Sequence, residues 1–132
     1  MTKKPQVTLT HTQYIAFRII VGLLFLQFGL SKLGVFGEEG ARELLSFMWV
    51  IGVLETLVGI GLTIGFLANI SAILGTCIMI GAYVTRHAQL GILPAQNNGT
   101  LALLFLTCFL LILLFEYPTL KKILQRIRTV IK

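Results

Sequence analysis

The sequence has 132 residues, of which 56% are hydrophobic, with 11 Lys and Arg against 5 Glu and no Asp. The mean hydropathy of +0.91 excludes a soluble domain and predicts an integral membrane protein. The net charge of +6 lies mostly at the two chain ends, where a membrane surface accounts for it better than nucleic acid does. The sequence therefore predicts a lipid bilayer as partner and no nucleic acid.

The first predicted transmembrane helix covers about residues 14–36, and its length favours a retained span over a cleaved signal peptide. At 100° per residue, two cations share one helix line with small and aromatic residues: Arg18, Gly22, Phe25, Gly29 and Lys32. Because small residues let a neighbouring helix come close, this line is predicted to face the bundle interior. The alternative is that both cations snorkel to the membrane surfaces.

The second predicted span, about residues 45–66, carries Glu55 close to its centre. A carboxyl group at that depth either pairs with a cation or carries a proton. Lys32 enters from the same side of the membrane and is the first choice of partner, and Arg18 is the second. The alternative is a structural ion pair that only fixes the register of the helices.

The segment between the second and third spans, residues 65–71, is predicted to be a tight turn. Gly65 is suited to end one helix, and Asn69 or Ser71 to cap the next. Gly61 and Gly65 form a GxxxG element on a different face from Glu55. We therefore predict that these two glycines are packing or oligomer contacts, and a homo-oligomer is a possible assembly.

The third predicted span, about residues 68–86, has a small-residue face that ends at Arg86 and is formed by Ala68, Ala72, Gly75 and Ala82. His87 follows directly. An exposed basic rim is one interpretation of Arg86 and His87. The other is an outward-facing cavity surrounded by four ionisable residues, namely Lys32, Glu55, Arg86 and His87.

An irregular loop, residues 87–98, leads to the fourth predicted span at about residues 99–117. After Pro118, residues 119–132 place five apolar residues on one helical face, with Lys and Arg on the other: Leu120, Ile123, Leu124, Ile127 and Ile131. This pattern predicts a basic amphipathic helix at the inner leaflet, or alternatively a helix that binds a partner protein. The fold class is thus an all-α, single-domain bundle of four transmembrane helices with an interfacial tail.

The distribution of cations outside the spans predicts the orientation of the bundle. Seven of them lie on the side of the termini: Lys3, Lys4, Lys121, Lys122, Arg126, Arg128 and Lys132. Only Arg42 and Arg86 lie on the other side. The positive-inside rule then predicts a multi-pass protein of the plasma membrane with both termini in the cytoplasm.

Cys77 and Cys108 lie singly within apolar runs and not in a CxxC pair. This placement is typical of buried packing residues, and it disfavours a dithiol oxidoreductase. The spacing of His and Cys does not match a metal site, so no metal is predicted.

The motif R-x3-G-x2-F-x3-G-x2-K-L in the first span and the motif E-x3-G-x2-L-x2-G in the second resemble the signature of the DoxX family. The residues that carry this resemblance are Arg18, Gly22, Phe25, Gly29, Lys32, Leu33, Glu55, Gly59, Leu62 and Gly65. The resemblance implies a four-helix membrane bundle related to membrane subunits of thiosulfate:quinone oxidoreductase. The chain departs from the family pattern in its short loop before the second span and in its ending, "FEYPTLKKI".

Three functions fit these features. The resemblance favours a redox-linked membrane subunit that binds a quinone or a small anion such as thiosulfate and exchanges electrons with a redox partner. The ligand-binding candidates are Arg18, Lys32, Glu55, Arg86 and His87, with Glu55 and His87 handling protons. The first alternative is a non-enzymatic scaffold or assembly factor for another membrane protein. The second is a small proton-coupled transporter that uses the intramembrane carboxylate.

Overall fold

The computed structural model describes residues 10–36 and 43–131, and within these ranges the chain is helical with no strand. The four helices are α1 (His11–Lys32), α2 (Phe47–Ile64), α3 (Ala68–Ala82) and α4 (Thr100–Ile131). A π-helical turn, Tyr83–His87, and a 3-10 turn, Ala88–Leu90, extend α3. With α3 extended in this way to Leu90, all four helices are long and apolar enough to cross a membrane. The predicted all-α membrane fold is confirmed.

Local sequence signals account for the starts of α1 and α2 and for the end of α2, but not for the start of α3. Thr10 and Gln13 form a capping box at the start of α1, and Ser46 caps α2 by accepting a hydrogen bond from the backbone of Trp49. Gly65 ends α2 with φ 82°, a left-handed conformation that glycine adopts without steric strain, as predicted. The predicted cap of α3 is wrong, because the helix begins after Leu67 and no side chain caps it.

The most extensive interfaces are those of α1 with α2 and of α3 with α4. Between α1 and α2 the backbones approach closely, since a Cβ atom added at Gly29 would lie 2.5 Å from the backbone nitrogen of Thr56. Gly75 of α3 packs beneath the ring of Phe109 in the same way. Small residues therefore set both interfaces, as the glycine line of α1 predicts.

The GxxxG element is used inside the bundle. A Cβ atom added at Gly61 would collide with the side chain of Ser71 on α3, and one added at Gly65 would collide with the guanidinium group of Arg18. Both glycines therefore make packing contacts within one chain, which is the first of the two roles predicted for them.

The C-terminal helix differs from the prediction in its length. The sequence predicts a span that ends near residue 117 and a separate helix from residue 119, whereas α4 runs without interruption from Thr100 to Ile131 with Pro118 inside it. A proline within a helix removes one backbone hydrogen bond donor and crowds the carbonyl four residues before it, but membrane helices tolerate it where local adjustments satisfy the freed backbone groups. The amphipathic segment is thus the C-terminal part of α4.

The predicted orientation depends in part on four cations that lie outside the described residues: Lys3, Lys4, Arg42 and Lys132. Residues 37–42 of the segment that joins α1 to α2 also lie outside them. The start of α1 contacts the middle of α4 through the stacked rings of Tyr14 and Phe115, whose centroids are 4.9 Å apart.

Candidate functional site

A close ion pair joins α1 to α2 within the bundle. Lys32 Nζ lies 2.5 Å from Glu55 Oε2, and the Glu55 side chain is only 4% exposed. Small residues make this contact possible, because Gly52 lets the stem of Lys32 pass over α2 and Gly29 brings the two backbones together. Of the two cations predicted as partners of Glu55, the structure selects Lys32.

The ion pair lies at the wall of a cavity of about 550 Å³ that all four helices line. Most of the wall is apolar, and its larger side chains are Phe25, Phe28, Phe47, Met48, Ile51, Ile78, Met79, Leu101 and Phe105. The lining also includes four acidic or basic residues: Lys32, Glu55, Arg86 and His87. The structure thus brings together the four residues that the sequence predicts around one cavity.

The two basic residues of the π-helical turn differ in their surroundings. Arg86 is exposed, whereas His87 is half-buried and its Nδ1 lies 2.8 Å from the backbone oxygen of Asn97. Asn97 is 1% exposed and its side chain binds the loop backbone at Gly91 and Gly99. The loop that precedes α4 therefore holds His87 at the cavity wall.

Arg18 lies at the other end of α1, 14 residues or about 21 Å of helical rise from Lys32, and does not line this cavity. Its Nη1 is 4.0 Å from Glu116 Oε1 of α4, and its guanidinium group lies 5.8 Å from the ring centre of Tyr14. Tyr14 in turn donates a hydrogen bond of 2.7 Å to Glu116. The assignment of Arg18 to ligand binding stays a prediction, and the geometry supplies other partners for it.

Metal-ligating side chains are not clustered in the part of the chain that the structure describes, where His, Cys, Asp and Glu form no group of three or more. Cys77 and Cys108 are both free thiols. Cys77 is exposed and lines the cavity, which differs from the predicted role as a buried packing residue. Cys108 packs against the hydrophobic core, in agreement with that role.

The sequence matches the DoxX family model over residues 14–88, which is more than half of the chain. The chain belongs to the DoxX family. No curated protein and no solved structure matches it.

All five predicted site residues lie within the DoxX segment, whereas α4 lies outside it. The cavity of this DoxX protein is therefore formed by two parts of the chain, the family segment and α4. Its ionisable residues come from the family segment, and part of its apolar wall, including Leu101 and Phe105, comes from α4.

Three residues with defined polar contacts, Tyr14, Asn97 and Glu116, were not singled out by the sequence as site residues. A signal was available for Glu116, because it is the only acidic residue in α4 and follows a long apolar run. Asn97 gave a weaker signal, since an Asn-Asn-Gly sequence is typical of any irregular loop.

Proposed function

We propose that this DoxX-family protein is a redox-linked membrane subunit whose cavity binds a quinone. The observation that supports the proposal is the combination of a mostly apolar, aromatic wall with a lysine ammonium group that the wall leaves accessible. The Lys32 side chain is 24% exposed, and its Nζ atom contacts one oxygen of Glu55. An ammonium group has three donors, so Lys32 can also donate to an oxygen of a bound ring.

The size and polarity of the cavity favour a quinone over a small anion. A volume of about 550 Å³ lies within the range of about 300–1,000 Å³ that is usual for sites that bind small molecules. Rings such as those of Phe25 and Phe105 offer aromatic faces to a planar ring. Thiosulfate would lose its hydration against the same wall. A small anion is therefore better suited to the exposed Arg86 at the cavity edge.

Two residues of the cavity are suited to proton exchange. Reduction of a quinone to a hydroquinone takes up two electrons and two protons, and the reverse reaction releases them. Glu55 and His87 line the cavity and belong to the residue types that act most often as general acids and bases. In this proposal they exchange protons with the ligand oxygens, and a membrane redox partner or a bound donor exchanges the electrons.

The proposal also gives the protein an orientation in the plasma membrane. The end of the bundle that carries Tyr14 and Glu116 continues into the basic segment of α4, which bears Lys121, Lys122, Arg126 and Arg128. By the positive-inside rule this end faces the cytoplasm. The cavity, at the opposite end of α1, is then nearer the outer surface.

A scaffold role is supported by the same ion pair, because a buried lysine–glutamate contact of 2.5 Å is also what a purely structural pair would show. Ligand binding separates the two functions. The single tryptophan of the chain, Trp49, follows Met48, a cavity residue of α2. Quenching of its fluorescence by a quinone therefore reports on the cavity.

The test is a titration of the protein in lipid nanodiscs with duroquinone, a tetramethyl quinone without a tail. We expect saturable quenching in the wild type. Gly81 lines the cavity, and a Cβ atom added there meets no atom within 4 Å, so Gly81→Leu adds volume at the wall without a clash. It should weaken quinone binding by roughly tenfold, as expected when a ligand must displace a leucine side chain.

Ala16→Leu is the matched control, because Ala16 is exposed on α1 near the other end of the bundle and should leave quinone binding unchanged. Quenching that does not saturate, or that is identical in Gly81→Leu, would contradict the proposal and favour the scaffold role.

A further inference from the structure

The hydrogen bond between His87 and the loop determines which ring nitrogen carries the proton. His87 Nδ1 lies 2.8 Å from the backbone oxygen of Asn97. A carbonyl oxygen can only accept a hydrogen bond, so Nδ1 must be the protonated nitrogen. In the neutral ring Nε2 then carries a lone pair and acts as a hydrogen bond acceptor.

The loop is built to keep this arrangement. The Asn97 side chain donates to the backbone oxygen of Gly91 and accepts from the backbone nitrogen of Gly99, both at 2.8 Å. Asn97 is almost fully buried, at 1% exposure, so these bonds are shielded from water and hold its backbone oxygen in place. His87 Nε2 has no hydrogen bond partner among residues 10–36 and 43–131.

The polar groups of the cavity therefore differ in hydrogen-bonding character. Lys32 is a donor only, whereas neutral His87 offers an acceptor at Nε2. A quinone has two carbonyl oxygens and can accept from Lys32, but it has nothing to donate to His87. A hydroquinone can accept from Lys32 through one hydroxyl oxygen and donate the other hydroxyl proton to Nε2.

We propose that the cavity selects the reduced, hydroxyl-bearing form of its ligand, a hydroquinone, and that Asn97 is the positioning residue that makes His87 a hydrogen bond acceptor. This inference rests on the proposed quinone site and adds the redox state that the site prefers. A bound hydroquinone has its hydroxyl proton directed at the group that would receive it on oxidation.

The test compares the affinities of duroquinol and duroquinone by equilibrium dialysis against nanodiscs under anaerobic conditions. The measurement is made at about pH 8, above the usual titration range of histidine side chains. The wild type should bind duroquinol roughly 3- to 10-fold more tightly, which is the effect of one ordinary hydrogen bond.

His87→Asn is the informative variant, because an asparagine amide can still donate to the Asn97 carbonyl but has no group at the position of Nε2. It should keep duroquinone affinity and lose the preference for duroquinol. His11→Asn is the matched control, since His11 is the only other histidine and is exposed at the start of α1. It should retain the wild-type preference.

A second measurement needs no ligand. Nitrogen NMR of histidine-labelled protein distinguishes the two neutral tautomers, and His87 should have its proton on Nδ1 in the wild type. Asn97→Ala removes the bonds that hold the loop and should shift His87 toward the other tautomer.

The possible outcomes separate this inference from the function on which it rests. Equal affinity for both redox forms, or a preference for duroquinone, would overturn the inference and leave the quinone site standing. If the His87 proton of the wild type is on Nε2, the inference is overturned, because Nε2 is then not a hydrogen bond acceptor. Binding of neither compound would overturn the proposed function and the ligand preference together.

Discussion

At one end of α1, Lys32 contacts Glu55 of α2 at 2.5 Å, whereas at the other end Arg18 lies 4.0 Å from Glu116 of α4. Both cations belong to the same line of the helix. The first pair borders a cavity of about 550 Å³. The second is covered by aromatic rings, since Tyr14 lies beneath the Arg18 guanidinium group and stacks on Phe115.

The difference shows that the position of a charge on a helix face does not determine its role. Arg18 is surrounded by protein groups, and its Nε is buried with no hydrogen bond partner in the described part of the chain. Lys32 is directly paired and still accessible from a space that can hold a ligand. We therefore expect the Lys32 end to combine stability with binding, and the Arg18 end to contribute to stability alone.

The strongest test of this comparison is the removal of Lys32. Lys32→Ala should reduce the free energy of unfolding by about 3–5 kcal/mol, because it leaves the Glu55 carboxylate buried without its partner. The double variant Lys32→Met with Glu55→Leu should recover most of the loss, since it removes both charges. The measurement is reversible denaturation in mixed micelles, with Lys122→Ala on the exposed part of α4 as the control. A double variant as unstable as Lys32→Ala would contradict this account of the pair.

The next largest loss of stability is expected from a substitution at Gly29, where α1 packs closely against α2. Gly29→Ala places a Cβ atom 2.5 Å from the backbone nitrogen of Thr56. Overpacking of this kind should reduce stability by about 1–3 kcal/mol. Gly81→Ala is the matched control, because no atom lies within 4 Å of its Cβ position. Thermal unfolding of the two variants checks the prediction, and equal midpoints would show that α1 and α2 are not held at this distance.

The smallest effect is expected at the Arg18 end. Arg18→Met should cost about 1 kcal/mol, because Arg18 Nη1, at 4.0 Å, is beyond hydrogen-bond distance of Glu116 and Glu116 keeps the hydrogen bond from Tyr14. Quinone quenching of Trp49 should be unchanged, with Arg126→Met as the control on the exposed surface. Weakened quenching in Arg18→Met alone would place Arg18 in the ligand site after all and remove the distinction between the two ends.

The sequence predicted the helices well, because membrane spans are recognised by long apolar runs. It also predicted the interior line of α1 from the spacing of Gly22, Phe25 and Gly29, all of which are buried. It did not predict the extent of α4, since a proline removes one backbone hydrogen bond and crowds the preceding turn, which often ends a helix but does not always do so. The local pattern cannot show whether that bond is dispensable.

The site was predictable only in part. A buried glutamate must be paired, so Glu55 and its choice of cations follow from the sequence. The partners of Arg18 depend on α1 lying beside α4, and no periodicity reveals which helices are neighbours. The position of His87 depends on the π-helical turn at Tyr83–His87, in which a count of 3.6 residues per turn no longer gives the correct face. The cavity itself depends on the arrangement of all four helices.

Because α4 is uninterrupted, one helix extends from the cavity wall to the far end of the molecule. Its 32 residues extend over about 48 Å, compared with a hydrocarbon core of about 30 Å. Leu101 and Phe105 at one end form part of the cavity wall, and Arg126 and Arg128 at the other lie on the exposed basic face. Because both surfaces belong to one helix, a tilt of α4 would move the cavity wall and the basic face together.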